Sequence, residues 1–487
     1  MAQIDVQNLT FYYEGSTDVI LDHVSFQIDT DWKLGLIGRN GRGKTTFLNL
    51  LLGKYDYQGT ISSSEVFDYF PYPVKDKTRN TIDVIEDTDP MYELWKVCRE
   101  LNLLEIDSDV LYRPFETLSN GEQTKVLLAV LFARENHFLL IDEPTNHLDM
   151  ESRRKLMGYL NCKKGFILVS HDRAFLDGCI DHVLSINKCN ITVTKGNFTT
   201  WWENKERQDI FELEQKERLK KDIRKLEKSS RTTGEWAGKV ERSKRGAADK
   251  GYVGHKAAKM MKRSKILEHR ADQALEDKSS LLRNIEEMDD LKLCPLMYHK
   301  ETLIRMEDIR ISYGNSKPVL ENFHMEVKRG ERVALQGSNG CGKSSILKII
   351  MGINPNFQGR AELSSGVVLS YVPQDTSGIS GTLGEFAELN VLDETIFFTV
   401  LRKLGFERTQ FEKQIEDFSE GQKKKVLIAK SLSQQAHLYI WDEPLNYIDI
   451  YSRMQIEQLI LEFRPAMLMV EHDSHFIECV ATKVIRM

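Results

Sequence analysis

Two glycine-rich stretches, Gly38-Arg39-Asn40-Gly41-Arg42-Gly43-Lys44-Thr45 and Gly337-Ser338-Asn339-Gly340-Cys341-Gly342-Lys343-Ser344, end in a lysine and a hydroxyl residue at the same spacing. Such a loop turns backbone N–H groups inward around the β- and γ-phosphates of a nucleotide at a helix N-terminus. Lys44 and Lys343 bring positive charge to those phosphates, and Thr45 and Ser344 offer a hydroxyl to Mg²⁺. Thr46 and Ser345 follow them and belong to the same nucleotide-binding set. Further along come Asp142-Glu143-Pro144 and Asp442-Glu443-Pro444. The aspartates can hold the ion, and Glu143 and Glu443 can polarise an attacking water that His171 or His472 orients. Between loop and carboxylates lie Leu118-Ser119-Asn120-Gly121-Glu122-Gln123 and Phe418-Ser419-Glu420-Gly421-Gln422, where a serine and a glycine at a helix start offer a second anion surface. All four motifs recur in order at an offset of about 300 residues. Four in register predict two sites that bind and hydrolyse nucleoside triphosphate.

The flanking residues supply the elements that must position these groups. Each phosphate loop follows an apolar strand, Leu34-Gly35-Leu36-Ile37 or Val333-Ala334-Leu335, and precedes a helical run. The aspartates close the runs Phe138-Leu139-Leu140-Ile141 and Leu438-Tyr439-Ile440-Trp441, whose unbroken apolar character is that of strands buried in a parallel sheet. The histidines come just after Ile167-Leu168-Val169 and Leu468-Met469-Val470. Alternating stretches at Gln3-Ile4-Asp5-Val6, Val24-Ser25-Phe26-Gln27-Ile28 and Thr302-Leu303-Ile304-Arg305-Met306 read as further strands. The expected architecture is α/β twice over, with one half at residues 1–202 and the other at 299–487.

Residues 203–298 differ. From Glu203 to about Asp290 there is almost no proline, and Leu219, Ile223 and Leu226, then Leu275, Leu282 and Ile285, fall at heptad-compatible positions. A stretch carrying Gly234, Gly238, Gly246, Gly251 and Gly254 interrupts them. This predicts a long antiparallel α-helical hairpin with its tip at about 236–256, each arm roughly 30–40 residues or about 45–60 Å long. Residues 216–265 hold 18 Lys and Arg against 6 Asp and Glu, a net of +12 that leaves −18 for the rest of a chain whose total is −6. A solvated helical face is the alternative for such a charge run. A projecting basic finger in which Lys244, Arg245, Lys250 and Lys256 alternate with Trp236, Tyr252 and His255 is suited to a phosphate-lined space.

Composition sets outer bounds. At 487 residues and 41% hydrophobic content, the chain has length for two or three globular domains. No run approaches 18 apolar residues, which argues against a transmembrane helix, and Met1-Ala2-Gln3-Ile4-Asp5 has no secretory character. Seven scattered cysteines without a Cys-x-x-Cys pair fit reduced thiols, so a cytoplasmic protein is expected.

With the phosphate loops, carboxylates and histidines, the Leu-Ser-x-Gly stretches make both halves resemble ATP-binding-cassette domains. In that family two cassettes close face to face, each ATP lying between one phosphate loop and the other cassette's signature. The resemblance implies one site from Lys44, Thr45, Asp142, Glu143 and His171 with Ser419, Gly421 and Gln422. The other combines Lys343, Ser344, Gln374, Asp442, Glu443 and His472 with Ser119, Gly121 and Glu122. It further implies ATP and Mg²⁺ as ligands, the metal taken by Thr45, Asp142, Ser344, Gln374 and Asp442. Tyr13 and Tyr313 fall where cassettes stack a ring on adenine, a core tyrosine being the alternative. Paired cassettes with a basic hairpin between them, in one chain without a membrane domain, resemble the ABC-F proteins. Those bind the ribosomal E site with the linker toward the peptidyl-transferase centre.

The linker sequence from Asp249 to Arg263 is similar to that of the antibiotic-resistance branch, and most like members protecting against lincosamides, streptogramin A and pleuromutilins. About 74 residues separate Lys44 from Leu118 and about 75 separate Lys343 from Phe418, leaving no room for the arm of housekeeping members, and the chain ends soon after His472. The implied activity is an ATPase, a monomer in function, that binds 70S ribosomes through 23S rRNA and P-site tRNA, not DNA, and is released by hydrolysis. A housekeeping translation factor is the second reading, and the ATPase subunit of a drug exporter the third. Departures from the family pattern cluster on the Lys44 site. Tyr72 stands where the second half has Gln374, and the D-loop facing that site reads Asn446-Tyr447-Ile448-Asp449 against Asn146-His147-Leu148-Asp149. The second switch histidine follows Glu471, where the first follows Ser170. The Lys44 site is therefore expected to be the slower one.

Overall fold

A computed structural model of the chain describes residues 3–13, 19–146, 148–187, 190–243, 255, 258–266, 269, 291–312, 318–353 and 357–487. Tyr313, His147, Lys244, Arg245, Lys250, Tyr252 and Lys256 lie outside the described residues, as do Gly246, Gly251, Gly254, Leu275, Leu282 and Ile285. The chain divides into two compact units, Met1–Phe198 with Met288–Met487, and Thr199–Glu287.

The first unit contains the same cassette twice. In the first half, β1 (Gln3–Tyr12), β2 (Val19–Asp29) and β4 (Gln58–Ser62) form an antiparallel sheet in the order β2-β1-β4. These strands run further than the short alternating stretches suggest, because Leu9, Phe11 and Leu21 add to the buried face. The second sheet is built from β3 (Lys33–Ile37), β5 (Val66–Phe70), β6 (His137–Asp142), β7 (Phe166–Val169), β8 (His182–Ile186) and β9 (Ile191–Lys195). Its order is β5-β6-β7-β3-β8-β9, parallel except for β9. The second half repeats the plan with β10 (Thr302–Ile311), β11 (Leu320–Lys328) and β13 (Phe357–Leu363) antiparallel. Its parallel sheet runs β14 (Leu369–Val372), β15 (Leu438–Asp442), β16 (Met467–Val470), β12 (Arg332–Gln336), β17 (Lys483–Arg486).

Strand β15 illustrates why the central strands are apolar throughout. Leu438 and Ile440 enter the core shared with Val333, Leu335 and Ile346, on the side of the antiparallel sheet. Tyr439 and Trp441 enter the opposite core with Phe386, Phe397 and Leu401. Successive side chains point to opposite faces, and both faces are covered.

Phe198–Ser243, which lies in the second unit from Thr199 on, is one helix of 46 residues, about 69 Å at 1.5 Å per residue. It begins before Glu203 and runs through Gly234 and Gly238, so the expected break does not fall at those two glycines. Each costs a helix about 1 kcal/mol, and the Lys-, Glu- and Leu-rich surroundings outweigh that. Residues 258–266 are also helical. Their Met260 and Arg263 line one cavity of about 540 Å³ with Lys225, Lys228, Ser229, Thr232 and Trp236 of the long helix. Trp236 is 59% exposed and His255 is exposed too.

Candidate nucleotide-binding sites

Each phosphate loop reverses the chain between a central strand and a helix. Gly43 (φ +87°) and Gly342 (φ +101°) occupy the left-handed region and cap the helices Lys44–Leu51 and Lys343–Ile350. A side chain would be strained there, and at Gly43 a Cβ would also come within 2.6 Å of Ile20. The helix start places both lysines inside their loops. Lys44 Nζ donates to Gly38 O (2.7 Å), Arg39 O (3.3 Å) and Asn40 Oδ1 (3.2 Å). Lys343 Nζ donates to Gly337 O (2.9 Å) and Ser338 O (2.8 Å). Burial lowers the Lys44 pKa, against the opposing pull of Asp449, Glu143 and Asp142.

The parallel sheet brings the carboxylates to these loops. Thr45 Oγ1 lies 3.4 Å from Asp142 Oδ2, which also accepts from the Tyr69 hydroxyl at 3.0 Å. In the second half the Ser344 hydroxyl bonds Asp442, whose pKa burial raises to about 6. Asp442 Oδ1 is buried with no hydrogen-bond partner, an orphan acceptor beside a hydroxyl, which fits a cation ligand. Glu143 (φ +50°) and Glu443 (φ +46°) both leave their strands in the left-handed conformation, a strain of order 1–3 kcal/mol that aims the side chains out of the sheet. His171 Nε2 comes to 3.3 Å from Glu143 Oε1, and His472 Nε2 to 3.6 Å from Glu443 Oε1.

The two carboxylates differ in support. Glu443 Oε2 accepts from Gln374 Nε2 (2.9 Å) and Asn446 Nδ2 (2.7 Å). Burial opposes its charge, yet the neighbouring His472 and hydrogen bonds from Gln374 and Asn446 hold it below the ordinary glutamate range. Glu143 is raised to about 8, by burial first and by the charge of Asp142 second. Tyr72, at the position matching Gln374, is half-buried with its hydroxyl near Thr88, Arg134, Asp68 and Asp89, and desolvation raises its pKa.

The halves meet across these groups. Asn40 Nδ2 donates to Tyr447 O at 3.0 Å, and the Asn339 backbone N–H donates to Asp149. At Gly421 the approach is so close that a Cβ would lie 2.5 Å from Tyr447 O and 3.0 Å from Asn40 Nδ2. Arg39 lies over the Tyr451 ring at 5.3 Å, and Arg173 pairs with Glu457. A cavity of about 530 Å³ takes walls from both halves: Asn120, Leu148 and Arg153 of the first, and Asn339, Gly340, Lys343, Ser344, Gln374, Glu443 and His472 among those of the second.

The ABC transporter family model matches residues 21–146 and again 320–446. The chain belongs to the ABC transporter family. This ABC protein is 26% identical to the ribosome protection protein VmlR of Bacillus subtilis, over 96% of this chain and 83% of that one. It is 25% identical to the ATP-binding protein Uup of Buchnera aphidicola, over 99% and 80% of the two chains. It is also 25% identical to ABC transporter F family member 2 of Arabidopsis thaliana, over 99% and 76%. Among solved structures, a model of ribosome-bound archaeal Pelota and ABCE1 shares the fold at a TM-score of 0.65 and 21% identity, covering 98% of this chain and 76% of that one. The RNase-L inhibitor does so at 0.63 and 20%, covering 99% and 87%.

Other expected site residues of this ABC protein sit as follows. Ser119 and Ser419 cap the helices Asn120–Phe132 and Glu420–Ser433, and Glu122 and Gln422 complete capping boxes by bonding back to the serine N–H at 2.8 and 3.0 Å. Those two side chains thus serve the helix start, while Gly421 lines the interface against Asn40 and Gly121 packs against Leu148 and Ser152 of its own half. Tyr13 is half-exposed, its hydroxyl 2.8 Å from Thr46 Oγ1, and is no core residue. Gln374 places its amide on Glu443 and not on Asp442. Tyr69, Arg153 and Arg453 are site neighbours that motif reading missed. The arginines recur at the same 300-residue offset as the motifs, a signal that could have found them. Among the described residues, one metal-type cluster lies elsewhere, Glu457, His475 and Cys479, and its glutamate is already paired with Arg173.

Proposed function

We propose that this chain is an ATPase with two composite sites that binds the ribosome in its closed, ATP-bound form and is released by hydrolysis. The observation that carries the ATPase reading is the cavity walled by Lys343, Ser344, Gln374, Glu443 and His472 from one cassette and Asn120, Leu148 and Arg153 from the other. In each site the lysine and loop amides bind the phosphates, and Asp142 or Asp442 with Thr45 or Ser344 would hold Mg²⁺, which neutralises charge on the phosphates. Glu143 or Glu443 takes the proton of the attacking water, and His171 or His472 keeps that carboxylate and the water in line.

The ribosomal assignment is supported by similarity over 96% of the chain to a ribosome protection protein, which takes in the segment between the cassettes. It is further supported by the 46-residue helix and the net charge of +12 across residues 216–265. Its basic residues would meet rRNA backbone, and Trp236 could stack on a base. Protection of the peptidyl-transferase centre against lincosamide, streptogramin A and pleuromutilin is the specific role we assign. A housekeeping translation factor is the second reading, favoured by the nearly equal identity to Uup, whose name carries no protective role. The test is co-sedimentation of the Glu143→Gln/Glu443→Gln double variant with 70S ribosomes. Pelleting only with ATP supports the assignment, and a protein that stays soluble refutes it. Unchanged drug susceptibility of cells lacking the chain would then favour the second reading.

A further inference from the structure

Two arginines that belong to no nucleotide motif pair with the aspartates that directly follow the switch histidines. Arg153 and Arg453 stand one helical turn after Asp149 and Asp449, the D-loop aspartates that cap the helices Met150–Asn161 and Ile450–Phe463. Arg153 Nε donates to Leu148 O at 3.0 Å, while its Nη1 donates to Asp172 Oδ2 at 3.0 Å and reaches His472 O at 3.4 Å. One guanidinium therefore touches its own D-loop, the residue after its own switch histidine, and the switch histidine of the other cassette. Arg453 repeats the first two links, with Nε on Ile448 O (2.9 Å), Nη2 on Leu445 O (2.8 Å) and Nη1 on Asp473 Oδ2 (3.0 Å).

These pairs are secluded, the side chains being 12% and 6% exposed for Arg153–Asp172 and 8% and 2% for Arg453–Asp473. Asp172 and Asp473 cap the helices Arg173–Cys179 and Ser474–Val480 and lie close enough to feel each other's charge. The charge of Arg453 reaches Glu143 and His171 in the other cassette. Arg153 in turn lines the cavity of the Lys343 site. Buried ion pairs carry a large desolvation cost and contribute little net stability, so their physical yield is fixed geometry. Here the geometry fixed is that of one switch loop relative to the other. A displacement of Leu148 must either drag Asp172 or release His472, since a planar guanidinium presents its donors in one rigid fork.

We infer that Arg153 and Arg453, with Asp172 and Asp473, are positioning residues that couple the two ATP sites, and that Arg153 is the arm crossing to the second switch. The inference rests on the ATPase reading above. Its test compares turnover of the full-length chain with that of Glu143→Gln and Glu443→Gln, each made alone and with Arg153→Gln. Coupled sites make the two single-site rates sum to less than about half the unsubstituted rate. With Arg153→Gln the sum returns to within about twofold of that variant's own rate. Asp172→Asn cuts the same link from the other end and serves if Arg153→Gln does not fold. A shortfall that persists in both backgrounds overturns the inference, as does an unsubstituted chain whose single-site rates already add. An unsubstituted chain without any ATP turnover overturns the ATPase reading itself, and is distinguished from the other outcomes at the first measurement.

Discussion

The side-chain amide of Asn40 donates to the main-chain carbonyl of Tyr447 at 3.0 Å, joining the first phosphate loop to the second D-loop. Tyr447 is held at φ +64°, in the left-handed region, which a non-glycine residue adopts at a cost. The contact exists only with the cassettes together, so it converts closure into a geometric condition on the Lys44 loop. Asn40→Ala is expected to raise the ATP concentration for half-maximal turnover about two- to tenfold, the worth of one hydrogen bond. The melting temperature should stay put, and unchanged half-saturation would remove Asn40 from the closing step.

The two sites should turn over unequally. Glu443 is clamped by Gln374 and Asn446, whereas Tyr72 lies half-buried near Arg134 and Asp68 and leaves Glu143 without that support. Glu443→Gln is expected to cut ATP turnover about tenfold or more, within the usual worth of a general base, and Glu143→Gln several-fold less. Steady-state phosphate release decides it, and equal losses would count against the asymmetry.

Glu143 should give the Lys44 site a pH dependence that the Lys343 site lacks. Its pKa of about 8 leaves it protonated at neutral pH, and a base acts only when ionised. With Glu443→Gln leaving the Lys44 site alone, turnover should rise about tenfold from pH 7 to pH 9. With Glu143→Gln the rate should be flat over that range, because Glu443 is held below the ordinary range. Linkage predicts a stability effect too. A folded pKa above the unfolded 4.5 favours folding below that value, and the contribution is lost as pH rises through about 8. Glu143→Gln should therefore raise the melting temperature at pH 9 and leave it unchanged at pH 4.

Asp449 should matter for folding. It is fully buried, and its Oδ2 lies 2.7 Å from Lys425 Nζ. Burial opposes its charge, but Lys425 and the Ser452 N–H hold its pKa far below the ordinary value. Asp449→Asn leaves a buried ammonium unpaired, and urea unfolding should register a loss of about 3–5 kcal/mol. Because the folded pKa is depressed, the stabilisation is present above the unfolded pKa and disappears as pH falls through the folded one. The deficit of the variant should therefore shrink at strongly acidic pH, and a deficit constant down to acid pH would exclude the pair as its source.

Local sequence determined the repeated cassette. Glycines that tolerate positive φ, a lysine at the helix start and strands apolar on both faces are properties of consecutive residues, so Gly43, Lys44, Asp142 and their counterparts were legible without coordinates. The partners of Glu122 and Gln422 were not, since a capping box and a nucleotide contact ask for the same residue types at a helix start. Nor do Gly234 and Gly238 announce that a helix passes through them, because helix strength is a sum over many neighbours. Only the tertiary structure decided that Asn40 meets Tyr447, that Tyr69 and not Tyr72 reaches Asp142, and that Arg153 spans two switch loops. Those contacts join residues up to 407 apart in the chain. The Asn40 and Arg153 contacts depend on how two folded halves pack against each other, and the Tyr69 contact on the pairing of β5 with β6, which no local pattern encodes.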